Sequence, residues 1–239
     1  MTSSSLHQTT AIIKRTGAAA VQYDLSKPNQ VTITLPVGSE WTSGLHWHEN
    51  HVEYLRVIKG SISVTLGAER RTISAEDVET EVKVNHNVWH EWTRASTEGS
   101  EVVVIERTDP EDGEKTVFFW NLNGVILRVQ NSPSPPYMFS WLHEWLCNLW
   151  VTLSLFIIFH DLDNIPVMMN FEKLLHSRGI PVTTRGYGSA VLQTLDRTWS
   201  HTVLSIASYL GWILRMTSVQ PEYTPRKLCR DGLQQRQSA

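Results

Sequence analysis

Cysteine is almost missing from this chain. Cys147 and Cys229 are the only two among 239 residues, and neither belongs to a C-x-x-C pair. That argues against a cysteine zinc site and a disulfide framework, and it fits a chain made in a reducing compartment. At this length a hydrophobic core suffices without cross-links. A surplus of positive charge is missing too. Lys+Arg number 21 against 24 Asp+Glu, a net charge of −3 with His neutral, so nothing electrostatic points to nucleic acid. The stretch from Met1 to Lys14 is polar and Ser/Thr-rich, without the basic-then-apolar order of a signal peptide. The expected location is the cytoplasm, or the cytoplasmic face of an internal membrane, and not outside the cell. No apolar run reaches the roughly 20 residues of a spanning helix. There is no G-x-S-x-G, no Walker A loop and no G-x-G-x-x-G, which removes the usual hydrolase, NTPase and dinucleotide readings.

What is present has two textures. Val31-Thr-Ile-Thr-Leu35 alternates β-branched and polar residues, and Glu53 to Ile58, Ser61 to Leu66, Val102 to Ile105 and Thr116 to Trp120 read as strands in the same way. Lys59-Gly60, Gly67-Ala68, Glu98-Gly99 and Asp112-Gly113 separate them as turns. Many short strands at this spacing predict a sandwich or barrel. Asn131-Ser-Pro-Ser-Pro-Pro136 then breaks the pattern as a semi-rigid linker. The expected layout is a flexible N-terminus over 1–17, a β-barrel over 18–130, the linker at 131–136, a helical apolar region over 137–225 and a flexible tail over 226–239. The fold class is mainly β with a helical appendage.

Apolar patches mark that appendage: Leu149 to Phe159 (extending back to Trp145), Ile165 to Phe171, and Val203 to Leu214. Trp141, Trp145, Trp150, Tyr209 and Trp212 suit the headgroup zone of a membrane. One reading packs these helices on the barrel. The other lays them on or tilts them into a membrane, with contact through 141–159 and 202–214.

The chemistry concentrates in Gly44-Leu-His-Trp-His-Glu-Asn-His-Val-Glu-Tyr-Leu-Arg-Val-Ile-Lys-Gly60. On a strand, His46 and His48 share one face and Trp47 the other. Glu53 follows after a short connection, with Leu55 and Val57 on its face. His90 can approach from a later strand. Three imidazoles and one carboxylate suit Fe, Mn, Ni, Cu or Zn, with open positions for catalysis. Trp47, Trp89 and Trp92 bracket these residues, as packing or as an aromatic wall for a hydrophobic substrate. Arg56, Arg94 and Arg107 are candidate anion clamps, each more simply a solvated charge. Glu49 and Glu91 read as solvated. His51 and His86 read as surface histidines or as supports behind the ligands. His160-Asp161-x-Asp163 is either a metal fragment or the cap of a helix end.

His46-Trp-His48, four residues, Glu53, six residues and Gly60 resembles the first motif of the cupin superfamily. The motif's opening glycine is replaced by Glu40. The second motif is represented by Asn85-His-Asn87-Val-Trp-His90, with Arg94 in place of its final Asn. The resemblance implies a jelly-roll-like β-barrel holding one divalent metal ion, iron before Mn, Ni or Zn, on His46, His48, Glu53 and His90. Cupins often pair, so a homodimer is an expected partner. More loosely, Phe118-Phe-Trp-Asn-Leu-Asn-Gly124, Leu155-Phe-Ile-Ile-Phe-His-Asp-Leu-Asp-Asn164 and Gln220-Pro-Glu-Tyr-Thr-Pro225 are similar to fungal cupin-domain oxidoreductases of salicylaldehyde-type polyketide biosynthesis. That likeness implies a metal-dependent oxidoreductase on a small hydrophobic substrate, with Glu53 able to take a proton if it detaches. An isomerase or cyclase on the same substrate class, or a non-catalytic scaffold, are the alternatives.

Overall fold

The computed structural model describes residues 11–130, 139–179, 187–226 and 228. The expected linker at 131–136, the first ten residues and nearly all of the expected tail lie outside the described residues.

Ten strands come first: β1 (Ile12–Arg15), β2 (Val21–Asp24), β3 (Gln30–Leu35), β4 (His46–Trp47), β5 (Val52–Lys59), β6 (Ser61–Leu66), β7 (Glu69–Ser74), β8 (Glu81–Val84), β9 (His90–Arg94) and β10 (Val102–Asp109). After them come α1 (Glu114–Gln130), α2 (Ser140–Asp161), β11 (Ile165–Pro166), α3 (Phe171–Ser177) and α4 (Tyr187–Ile213). The strands form two antiparallel sheets, ordered β1-β2-β3-β10-β5-β8 and β11-β4-β9-β6-β7. Period-2 alternation decides which side chains enter the barrel. Val31, Ile33 and Leu35 of β3, Leu55 and Val57 of β5, and Val102 and Val104 of β10 are all buried. Gly60 turns β5 into β6 at φ 73°. A Cβ there would lie 2.9 Å from the Glu101 carbonyl oxygen, so glycine is needed for space as well as for conformation.

Four elements depart from the sequence reading. Strand β1 pairs with β2, so the sheet begins inside the segment 1–17 that composition marks as flexible. Thr116 to Trp120 is helix, not strand. Val117, Phe118, Phe119, Trp120 and Asn121 are all buried, and a run buried on every side carries no period to separate helix from strand. The Asp112 carboxylate accepts the Glu114 amide at 2.9 Å and helps start the helix. The barrel therefore ends at Asp109, earlier than residue 130. Finally, Ile165–Pro166 in the helical half is a strand, pairing with β4 so that Ile165 faces Trp47 and Pro166 faces His46.

The helices pack on the barrel and on one another. Phe118 of α1 stacks on Phe159 of α2, with centroids 5.9 Å apart. Two of the segments that carry the fungal resemblance dock together. Asn121 donates to Thr224 Oγ1 at 2.9 Å and accepts the Gln220 amide at 2.7 Å. Gly124 lies flat against the Tyr223 ring, where a Cβ would come within 2.2 Å. We expect Gly124→Ala to lower stability by about 1–3 kcal/mol through overpacking, read as a lower denaturation midpoint.

Candidate metal centre

Each sheet brings part of one site. His46 on β4 stands opposite His90 on β9 in antiparallel register. His48 follows directly after β4. Glu53, second in β5, is contributed by the other sheet, opposite Thr108 of β10. All four are buried, and one ligand atom from each lies within 4.8 Å of every other. The four side chains expected as ligands are thus brought together, with His46 and His48 on a common face as strand geometry requires.

The hydrogen bonds fix the tautomers. His46 Nδ1 faces the Gly44 carbonyl at 2.7 Å and His90 Nδ1 that of Val88 at 2.9 Å, while His48 Nδ1 bonds the Asp163 carbonyl. A carbonyl accepts only, so each Nδ1 carries hydrogen and each Nε2 presents a lone pair. Those lone pairs converge on a carboxylate: His90 Nε2 is 2.8 Å and His48 Nε2 3.7 Å from Glu53 oxygens. Yet His48 Nε2, His90 Nε2 and Glu53 Oε2 have no hydrogen-bond donor among the described residues. Buried acceptors facing one another without a donor are unfavourable unless a cation lies between them. Burial, with His90 and His48 adding to it, holds the His46 imidazole well below its ordinary pKa, and burial lowers His48 as well. Both are therefore neutral ligands at ordinary pH. Burial alone would raise Glu53, but the Lys115 charge beside it outweighs burial and holds the carboxyl well below its usual range. The donor set fits one divalent metal ion.

Two residues of the site were not found from sequence. Lys115, second in α1, reaches into the barrel, bonds Glu53 Oε1 and sits 3.1 Å from Glu106 Oε2. Glu106 also accepts Trp92 Nε1 at 2.7 Å. Burial raises the Glu106 carboxyl despite the ammonium beside it. Glu106 was legible in principle, because Val102, Val104 and Glu106 share one parity on β10. Lys115 was not, because its helix reads as a strand.

Asp163 supports the site from the appendage. It closes α2, taking φ 44° just past the C-cap Leu162 while the Asn164 amide reaches back to the Phe159 carbonyl at 3.3 Å, and it belongs to no candidate metal set among the described residues. Its carboxylate accepts the amides of Glu49 and Asn50 at 2.8 and 2.9 Å and contacts His51 Nδ1 at 2.7 Å, while its carbonyl orients His48. Asn87, where the family has glycine, takes φ 62°, a conformation asparagine tolerates better than most residues. Arg94, in place of the motif's Asn, is buried and donates to the carbonyls of Leu35, Ser96 and Ser100. It is structural rather than an anion clamp. Arg107 pairs with Glu81 at 2.9 Å. Glu49 is paired as well as partly solvated, accepting from Trp47 and contacting His201 at 3.0 Å.

His51 is buried, not superficial. Its Nε2 lies 2.9 Å from Asp112, opposite the contact with Asp163. Burial lowers its pKa, but the two carboxylates outweigh that and lift it to about 10. A folded-state value above the unfolded one stabilises fully below about pH 6.5, and the contribution is lost as pH rises through about 10. We expect His51→Leu to cost about 3 kcal/mol and to flatten the fall of wild-type stability over that interval. Denaturant titrations at several pH values check this.

Above the site lies a cavity of about 250 Å³, lined by Trp41, Phe118, Phe119 and Phe159, with His46 and Lys115 among its polar groups. The aromatic wall is made by these residues. Trp47 and Trp92 are buried in packing instead. Arg15 of β1 also lines the cavity and makes no ion pair among the described residues.

Residues 31–106 match the family described as "Cupin domain". The matched segment lies within the barrel, from β3 into β10. No curated protein matches the chain. Among solved structures, the chain is similar to the capsular polysaccharide assembling protein CapF from Staphylococcus aureus, at 14% identity and a TM-score of 0.34, covering 41% of this chain and 28% of that one. It is also similar to KdgF from Halomonas sp., at 19% and 0.32, covering 40% and 85%. An oxalate oxidase in complex with glycolate matches at 15% and 0.28, covering 34% and 40%. The chain spans less than a third of the CapF structure. At identities this low, nothing about substrate passes from these proteins to this chain.

Proposed function

We propose that this chain is a metal-dependent cupin oxidoreductase acting on a small, hydrophobic, ring-bearing substrate of the polyketide-derived, salicylaldehyde type. The observation that carries the reading is the set of donorless lone pairs of His48, His90 and Glu53, at a site whose fourth member, His46, lines an aromatic cavity. His46, His48, Glu53 and His90 would hold the metal. When bound, it supplies Lewis acidity at a substrate oxygen and, if it is iron, access to dioxygen as the oxidant.

The protein's own groups do the rest. Trp41, Phe118, Phe119 and Phe159 bind the apolar body of the substrate and exclude water from the reacting end. Carbonyls of Gly44, Val88 and Asp163 keep the imidazoles in the ligating tautomer. Lys115 holds Glu53 Oε1 and so leaves Oε2 to face His90. Arg15 offers a cationic partner to a polar group at the far end of the substrate. An isomerase or cyclase is the second reading, favoured by Lys115 and Glu106, an ionisable pair lining the same cavity.

The test supplies the iron-loaded protein with alkyl-chained aromatic alcohols and aldehydes while dioxygen and product mass are followed. Oxygen uptake matched to product with two hydrogens fewer or one oxygen more supports the oxidoreductase. A product of unchanged mass with no uptake moves the assignment to the isomerase. A pathway product unchanged by the His46→Ala, His48→Ala double variant, folded and metal-free, removes catalysis and leaves a scaffold.

A further inference from the structure

Helix α4 is built inside out. The face it turns to the protein is mostly small or polar: Asp196, Ser200, Ala207 and Gly211 are buried there, with Leu204 the large apolar residue among them. Asp196 accepts the Phe171 amide at 3.0 Å and Ser200 that of Met168 at 3.1 Å. Gly211 admits Ile157 of α2, which a Cβ would approach to 2.4 Å. The opposite face carries the large apolar residues. Val191, Leu195, Trp199, Ile206, Tyr209 and Ile213 are between 47% and 62% exposed. Their spacings of 4, 4, 7, 3 and 4 residues confine them to about 80° of arc on a helix of 3.6 residues per turn. No charged side chain interrupts that arc.

A helix folded for its own core would show the reverse pattern. The apolar strip is about 33 Å long and about 10 Å wide. Its footprint of about 330 Å² is well under the roughly 800 Å² that each partner contributes to a standard protein interface. A bilayer surface sets no such lower limit, and it favours aromatic rings at the water boundary. Trp212, 73% exposed, stacks on Tyr209 at 5.9 Å. The N-terminal half of α2 adds Trp141, Trp145 and Leu149, between 50% and 66% exposed at four-residue steps. Trp141–Asp161 is long and apolar enough by composition to cross a membrane, with a mean hydropathy of 1.5 and only 17% of that window buried. The second half of α2 is not available to lipid, since Ser154, Ile157 and Ile158 are buried.

We propose that α4 lies in the surface of a lipid bilayer, with its outward strip sunk among the acyl chains. Recognition is by apolar and aromatic side chains rather than by basic charge, since the strip carries none. The proposal stands apart from the metal reading and uses none of its residues.

The test is flotation of the full chain with vesicles of phosphatidylcholine alone, and of phosphatidylcholine with phosphatidylserine. The wild type is expected to float with both to a similar degree. Ile206→Glu, Tyr209→Glu and Ile213→Glu together, all on the exposed strip, should lower the bound fraction by about tenfold or more and leave metal content unchanged. Brominated lipids give a second readout without mutation, since tryptophan fluorescence of the bound wild type should be quenched. Wild-type protein that stays with the aqueous phase of both vesicle types overturns the proposal. If it also elutes as a dimer that the triple variant makes monomeric, the strip is a contact between two copies of this chain.

Discussion

Changing His46 and His48 together to alanine is expected to abolish metal binding and leave the barrel standing. The two imidazoles are buried and neutral, and neither contributes an ion pair that the metal-free fold depends on. Their removal takes away half of the donor set. Disturbing groups behind a metal's ligands already lowers affinity 10–100-fold, so losing two ligands should exceed about a hundredfold. The measurement is elemental analysis of protein purified without added metal, beside circular dichroism of the same sample. A double variant that keeps a full equivalent of metal would move the centre elsewhere. The other cluster among the described residues with suitable donors is His51, Asp112 and Glu114, where both His51 nitrogens already face carboxylates.

Lys115→Met should produce the largest change in stability, and one that depends on metal. The ammonium bridges Glu53 and Glu106 inside the barrel, and its pKa is raised above the ordinary lysine value: burial opposes the charge, and the two carboxylates outweigh burial. Removing one member of a buried ionic set commonly costs about 3–5 kcal/mol, because the remaining charges are left without a partner. We expect that loss in the metal-free protein. A divalent cation at the four ligands then supplies the missing charge, and Lys115 no longer competes for Glu53 Oε1. Added metal should therefore raise the midpoint of unfolding more in the variant than in the wild type. Equal losses with and without metal would show that Lys115 serves packing alone.

Much of the site was readable because its geometry is local. His46 and His48 share a face through strand periodicity, and the step from Glu53 to Leu55 and Val57 obeys the same rule. The convergence of His90 came from the cupin resemblance, and pairing of β4 with β9 brings it about. What stayed hidden depends on long-range packing. Asp163 lies 115 residues after His48, and nothing near it in sequence shows that its backbone carbonyl will meet an imidazole. The helix carrying Lys115 reads as a strand because Val117 to Asn121 is buried on every side. Arg15 was passed over because its strand lies in a segment too polar to suggest order. The histidine-aspartate fragment before β11 does end a helix, as one of its two readings has it, but it supplies no metal ligand among the described residues. Its aspartate serves the metal centre through hydrogen bonds.

The dependence of His48 on Asp163 also sets an order of events during synthesis. A ribosome adding about 5–20 residues per second needs roughly 6 to 23 s to travel the 115 residues from one to the other. Throughout that interval the nascent barrel can pair its strands, but its second imidazole lacks the carbonyl that aims it and the loop from Glu49 to His51 lacks its clamp. Until the helical half has emerged and docked, the barrel's own strands hold only His46, Glu53 and His90 of the donor set, and His48 joins them last.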